Sequence, residues 1–429
     1  MDSSIRKEIA GMEINRNGIR RVVITGMGAI TPLGEINQLW AGLLAAKSGI
    51  RRITHFDPSD LEVQIAGEVD FDPKDYFSPR DARRMSRATQ LALIAARMAQ
   101  QDCGLTKEKV GQNGDRVGVV IGTANAGFEL LVDMSYEYLI NGKKPMPTVF
   151  VNGLPNIPGH YISVEMGATG PLATIVTACA SGTQAVGAGV DMIRNRKAEL
   201  VFAGGADGMI RKEVIAAFDS MRALPRGFND SPQHASRPFD GNRDGFVLGE
   251  GAGILVIESL ENAIERGAQI YAEVLGHAAS SDAKNITAPD EEGLGAQKAM
   301  RWALEDAGIS LDEVDYINAH GTSTRLNDLT ETKAIKAVFG QRAYRIPVSS
   351  TKSMLGHSMG ASGALEAIVC VRTIREGMVH PTINNETADP ECDLDYVPNR
   401  MRREQVKIAL SNSFGFGGQN ACLVIGKFN

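Results

Sequence analysis

A chain of 429 residues, 43% hydrophobic and 22% charged, has the composition of a globular protein large enough for more than one folding unit. A formal net charge of -6 argues against nucleic acid as the main ligand, and no run of about 18 uncharged apolar residues predicts a membrane span. Cys103, Cys179, Cys370, Cys392 and Cys422 are odd in number and widely spaced, with no CxxC pair, which points to a reducing, cytoplasmic setting.

Residues 1–18 carry charges throughout and no apolar segment, so they read as a flexible tail and not as a signal peptide. From Arg20, RRVVITGMGAI predicts a strand running into a glycine turn. Residues 86–104 predict a helix stopped by Gly104. RVGVVIGTA then reads as a strand, ISVEMGATG as a helix end, and LATIVTACA as a strand ending at Cys179. After the cysteine, SGTQAVGAGVDMIRNRKAE reads as a helix whose first turns are nearly all small residues, and LVFAGGAD as a strand. The second part continues with GILVIESL as a strand, GLGAQKAMRWALEDAGI as a helix, and VDYINAHGTST as a strand with a polar end. RIPVSSTKSMLGHSMG predicts a strand and loop, ASGALEAIVCVRTIREG a helix, and QVKIALSNSFGFGGQNACLVI two strands around a glycine turn. Such alternation predicts α/β layering with buried strands.

An internal echo runs at an offset of 181 residues. Ala180, Ser181 and Gly182 match Ala361, Ser362 and Gly363, while Val190, Ile193 and Arg194 match Val371, Ile374 and Arg375. Two similar α/β halves explain it, with an active site where their strand ends meet; chance likeness of Ala/Gly-rich helices is the alternative.

Cys179 stands at a strand-turn-helix junction resembling a nucleophile elbow, where helix amides would favour a thiolate. His320, in NAHGTST, and His357, in a Gly/Ser-rich loop, both follow strands, the usual place for reacting groups in α/β proteins. The same three residues could supply zinc ligands, but no local ligand spacing supports that and no metal is expected. Lys352 lies in the loop of His357, and Asp328, Glu331 and Glu366 are candidate partners for it or for a histidine. SNSFGFGGQN permits a tight turn with inward amides. One of these, paired with the amide of Cys179, would make an oxyanion hole, and Phe414 and Phe416 would border an apolar channel. Neither this turn nor GMGAITPLG has the spacing of a dinucleotide fingerprint.

TACASG, NAHGTST, SSTKSMLGHSMGASG and NSFGFGG, in this order, resemble the active-site segments of the condensing enzymes, and most closely the β-ketoacyl-[acyl-carrier-protein] synthase II type; RPFDGNRDGFVLGEGAG fits the same group. The resemblance runs from about Arg20 to the C-terminus. It implies a thiolase-like fold, two related halves in a five-layered α/β/α/β/α arrangement, divided here as 19–268 and 269–429, and a homodimer. It implies Cys179 as the acylated nucleophile and His320 and His357 as the paired histidines. Lys352 matches the active-site lysine, and Phe416 the gate whose amide helps form the oxyanion hole. Asp328 and Glu331 match acidic positions behind the histidines. Arg80, Arg83, Arg84 and Arg222 match positions that contact the acidic carrier protein.

The implied reaction is decarboxylative condensation of malonyl-carrier with a cysteine-bound acyl chain in fatty acid elongation, with no metal or redox cofactor. A ketosynthase of a specialised lipid or polyketide pathway shares every catalytic residue. A non-catalytic partner subunit is a third reading, against which the retained residues argue. Three departures stand out: Asn125 falls near a position where an apolar residue gates the acyl pocket, Arg325 stands where proline is common, and Gln419 replaces a usual threonine.

Overall fold

The computed structural model describes residues 15–16 and 18–428, so most of the tail expected over 1–18 lies outside the described residues. In chain order the elements that matter here are β1 (Val22–Thr31), α1 (Arg87–Asp102), β2 (Val117–Gly122), α2 (Phe128–Leu139), β3 (Leu172–Ile175), α3 (Ser181–Arg194), β4 (Leu200–Asp207) and β5 (Gly251–Ser259). They continue with β6 (Ala272–Ser281), α4 (Leu294–Ala307), β7 (Tyr316–Asn318), α5 (Arg325–Phe339), β8 (Val348–Ser349), α6 (Ser362–Glu376), β9 (Ile408–Gly415) and β10 (Gln419–Gly426).

The strand order is β8-β7-β9-β10-β6-β1-β5-β4-β2-β3. Its first five strands in sequence lie as β1-β5-β4-β2-β3, and the next five repeat that order as β6-β10-β9-β7-β8. The senses repeat too: β1, β5 and β4 are successively antiparallel, with β4, β2 and β3 parallel, as are β6, β10, β9, β7 and β8 in turn. The two five-stranded units meet along one short antiparallel ladder, in which Val22, Val23 and Ile24 of β1 face Val274, Glu273 and Ala272 of β6. Two related halves, expected from the echo, are therefore written into the topology.

Side-chain alternation sorts the strands into layers. Val201, Leu255, Ile257, Leu423 and Ile425 point to a middle core filled by Val186 and Val190 of α3 and Ile368 and Val371 of α6. Their neighbours Phe202, Ile254 and Val256 point outward onto Leu91 and Ile94 of α1. Val424 and Leu410 pack on Ala299 and Ala303 of α4 and Ile335 of α5. The result is helix, sheet, helix pair, sheet, helix pair: the five-layered thiolase-like fold. Each fully buried Leu or Ile contributes about 1.5–3 kcal/mol relative to leaving it exposed. Because α3 and α6 lie between layers of strands, most of their residues are buried, with polar residues such as Asp191, Arg372 and Arg375 kept off the core.

The helix pair also explains the shared glycines. A Cβ at Gly182 would lie 2.6 Å from the Gly360 oxygen, and one at Gly363 would lie 1.9 Å from Thr183 Oγ1. The two helices thus approach backbone to backbone at equivalent positions. The first residues of their short 3-10 turns are equivalent as well: Ala178 has φ +49° and Met359 φ +47°, again 181 apart.

The glycine turn expected after VVIT does not form. β1 runs straight through Gly26 and Gly28 to Thr31, because these glycines let α1 lie against the strand; a Cβ at Gly28 would sit 2.0 Å from the Ala95 oxygen. The strand expected to end at Cys179 stops at Ile175, and residues 178–180 form the 3-10 turn. No described helix is long and apolar enough to cross a membrane.

Candidate active site

Cys179 sits on the strained turn between β3 and α3, with Ala178 in the left-handed region, so the elbow expected from sequence is present. The residue is 4% exposed. Across from it, His320 follows β7 and His357 follows the short helix Lys352–Leu355. Cys179 Sγ and one ring nitrogen of each histidine all lie within 4.8 Å of one another, and the two imidazoles meet edge to face with centroids 5.3 Å apart. The three line one end of a cavity of about 360 Å³. These are also the atoms a metal would use, as the zinc alternative anticipated.

The turn between β9 and β10 closes on the cysteine. The Gly415 backbone passes so near that a Cβ there would lie 3.0 Å from the Cys179 nitrogen, a contact that glycine avoids. Main-chain N–H groups of Phe416 and of Cys179 itself favour the charged form of the sulfur. Phe414 packs edge-on against His320 at 5.8 Å, and both phenylalanines line the cavity.

The expectation of a thiol pKa lowered by the helix start is overturned. Burial outweighs the Lys352 charge and the Phe416 and Cys179 amides, and pushes the Cys179 thiol up to about 11. Burial holds both histidines well below their ordinary range, and the Lys352 charge adds to it. Both rings are therefore neutral. The Met359 N–H donates to His357 Nδ1 at 3.2 Å, so the ring proton sits on Nε2. That Nε2, and Nδ1 of His320, are buried without a protein partner.

The acidic residues divide their work. Glu366 takes Lys352 as an ion-pair partner, both buried. Glu331 accepts the main-chain N–H groups of His320 at 2.9 Å and Gly321 at 2.7 Å, and the side-chain amide of Asn412 at 3.2 Å. Asp328 accepts the N–H groups of Phe239 and Ser323 and faces Arg243 at 3.7 Å. Neither carboxylate touches an imidazole; they shape the backbone that presents His320. Burial raises both Glu331 and Glu366 to about 7.

Asn125 does not join the group. It is half-buried, gives its N–H to Asp207 at 3.2 Å, and does not line the cavity of Cys179. Arg80, Arg83 and Arg84 are exposed on and just after the short helix Pro79–Ala82, while Arg87 turns inward to Glu250. Arg222 is exposed and lines the cavity.

Two elements escaped the sequence reading. Asp207, at the end of β4, is fully buried and accepts from Thr123 Oγ1 (2.8 Å), Ala124 N (2.8 Å), Asn125 N and Gly360 N (2.7 Å), tying the loop after β2 to the turn after His357. A carboxylate closing the apolar run LVFAGG was its signal. The second is a role and not a segment: within RPFDGNRDGFVLGEGAG, already noted in the sequence, the Val247 oxygen accepts from His357 N at 2.7 Å while Gly249 N donates to the His357 oxygen at 2.9 Å. Phe246 stacks edge-on against the same ring.

A buried thiol on an elbow beside two neutral imidazoles is an arrangement suited to acyl transfer. The profiles described as the N-terminal and C-terminal domains of beta-ketoacyl synthase match residues 19–263 and 271–386, and the chain belongs to that family of enzymes. It is 47% identical over 412 residues to 3-oxoacyl-[acyl-carrier-protein] synthase 2 of Synechocystis sp., covering 95% of this chain and 98% of the relative. With the synthase of the same name from Staphylococcus aureus strain COL it is 46% identical over 413 residues, covering 95% and 99%. Among solved structures, the ishigamide ketosynthase/chain length factor superposes with a TM-score of 0.88 at 40% identity, covering 96% of this chain and 100% of that one. A type II polyketide ketosynthase in complex with its acyl-carrier protein gives 0.88 at 35%, with the same coverage.

Proposed function

We propose that the enzyme extends a cysteine-bound acyl chain by two carbons from a malonyl thioester, both substrates borne on an acyl carrier protein, in fatty acid elongation. The observation that carries this reading is the convergence of Cys179, His320 and His357 on the wall of one cavity that Phe416 also lines. Cys179 attacks the acyl thioester, the carrier thiol departs with the sulfur's proton, and the N–H groups of Cys179 and Phe416 stabilise the oxyanion. Malonyl-carrier follows. His357 donates from Nε2 to its thioester carbonyl, with His320 as the second polar contact, and the enolate left by carbon dioxide is stabilised there. The enolate carbon bonds to the acyl carbon, the C–S bond breaks, and the departing thiolate takes a proton from solvent. Lys352, paired with Glu366, keeps the imidazoles neutral and favours the thiolate.

Intact-mass measurement tests the first step: acyl-carrier should add one acyl group, lost in Cys179→Ala. Acylation surviving in that variant overturns the assignment. The 40% identity to the ishigamide ketosynthase favours, as a second reading, the same chemistry in a specialised pathway. Turnover confined to unsaturated or oxo-substituted chains would select it. Asn125, on the loop that Asp207 holds, would act on the acyl pocket through that loop.

We further infer a cytoplasmic homodimer built from the halves 19–268 and 269–429. Strand β3 ends the sheet, so one side of its backbone is unpaired, and Leu172, Val176, Leu139, Ile140 and Phe150 are exposed. A second copy would cover them; a solution mass of 46.0 kDa would refute it. Exposed Arg80, Arg83 and Arg84, with Arg222 at the mouth, suit an acidic carrier. Arg83→Glu with Arg84→Glu should weaken use of carrier more than use of small thioesters.

A further inference from the structure

We propose that Arg325 is a positioning residue that holds the phosphate of the carrier's phosphopantetheine arm at the cavity mouth. The inference rests on the functional reading above. Two residues lining the cavity carry a permanent positive charge, Arg222 and Arg325, one from each half of the molecule. Both are exposed, and no ion pair engages Arg325 among the described residues. The acids of the same lining are already used: Asp282 accepts from Asn420 Nδ2 at 2.8 Å and Asp290 N at 3.1 Å, and Asp244 accepts from Arg226 N at 3.3 Å.

The backbone beneath Arg325 is fixed. Buried Arg243 donates to the Thr324 oxygen at 3.3 Å and the Arg325 oxygen at 3.2 Å, while its own charge is met by Asp389 and Asp328. Arg325 is also the first residue of α5, so the positive end of a 15-residue helix adds to its field. The pantetheine arm is neutral along its two amides and charged only at its phosphate. With the thioester at Cys179 and the arm in the cavity, that phosphate comes to the mouth, where a forked guanidinium with free donors matches it.

The test compares malonyl-pantetheine with malonyl-phosphopantetheine, which differ by the phosphate alone. The unaltered enzyme should show the lower KM for the phosphorylated thioester. Arg325→Ala should shrink that preference about five- to tenfold, and Arg325→Lys should keep part of it. Malonyl-carrier should lose as much as malonyl-phosphopantetheine. A preference unchanged in Arg325→Ala overturns the proposal. A loss seen only with carrier assigns the arginine to the carrier's protein surface, and a loss only with malonyl-CoA assigns it to the nucleotide; either overturns it too. No turnover of either small thioester by the unaltered enzyme overturns both this inference and the reading beneath it.

Discussion

His357 accepts the main-chain proton of Met359 at Nδ1, 3.2 Å away, and so presents its own proton from Nε2 into the cavity. The donor's direction is fixed by backbone, because Val247 and Gly249 grip the main chain of the same residue. If that donor stabilises the enolate, His357→Ala should lower malonyl decarboxylation by about 10²–10³. His357→Gln, which can return an N–H near Nε2, should recover part of the loss. Equal rates in the two variants would remove the donor role.

Cys179 gives a pH signature. With burial pushing the thiol up to about 11, its alkylation by iodoacetamide should climb about tenfold per pH unit from neutrality to pH 10, since only thiolate reacts. Lys352→Met should slow alkylation at every pH in that range, because the lysine charge favours the thiolate. A plateau near pH 7 would mean a thiol far more acidic than its surroundings imply.

Glu331 links stability to pH. Its folded pKa of about 7 exceeds the ordinary value of 4.5, so the folded chain holds a proton that the unfolded chain releases between those limits. The resulting stability is full below pH 4.5 and is lost as pH rises through 7, with a slope of up to about 1 kcal/mol per pH unit. Glu331→Gln should flatten that part of the profile in urea unfolding from pH 5 to 7. The same variant should lower kcat, since an amide cannot accept from both His320 N and Gly321 N as well as Asn412. An unchanged slope would argue that the carboxyl titrates normally.

Where α3 and α6 touch, there is no room for a methyl group. Gly363→Ala would place Cβ 1.9 Å from Thr183 Oγ1 and should cost about 1–3 kcal/mol by forcing the helices apart. Thermal unfolding checks this, and a neutral result would mean the pair can slide.

Much of the fold was legible because its signals are local. Buried strands such as LVFAGGAD, and helices such as residues 87–102 with Ser86 as N-cap, carry their patterns in neighbouring residues. Gly26 and Gly28 misled for a physical reason: glycine signals either a turn or a close approach, and only α1 packed against β1 tells which. Helix α2 was missed because none of its residues is buried in the chain itself, so it has no apolar stripe facing a core.

Sequence by itself singled out the candidates for the chemistry: a cysteine among small residues, two histidines in Gly/Ser loops, a lysine and a glycine turn, together with the echo that announced two halves. Tertiary structure alone decided their electrical state and their partners. Burial leaves the thiol protonated and the imidazoles neutral, Glu366 rather than Glu331 meets Lys352, and Asp207 ties the two halves together. The reason is distance: desolvation and pairing depend on neighbours far along the chain, as Asp207 and Gly360 are at 153 residues apart, and no local pattern encodes such proximity.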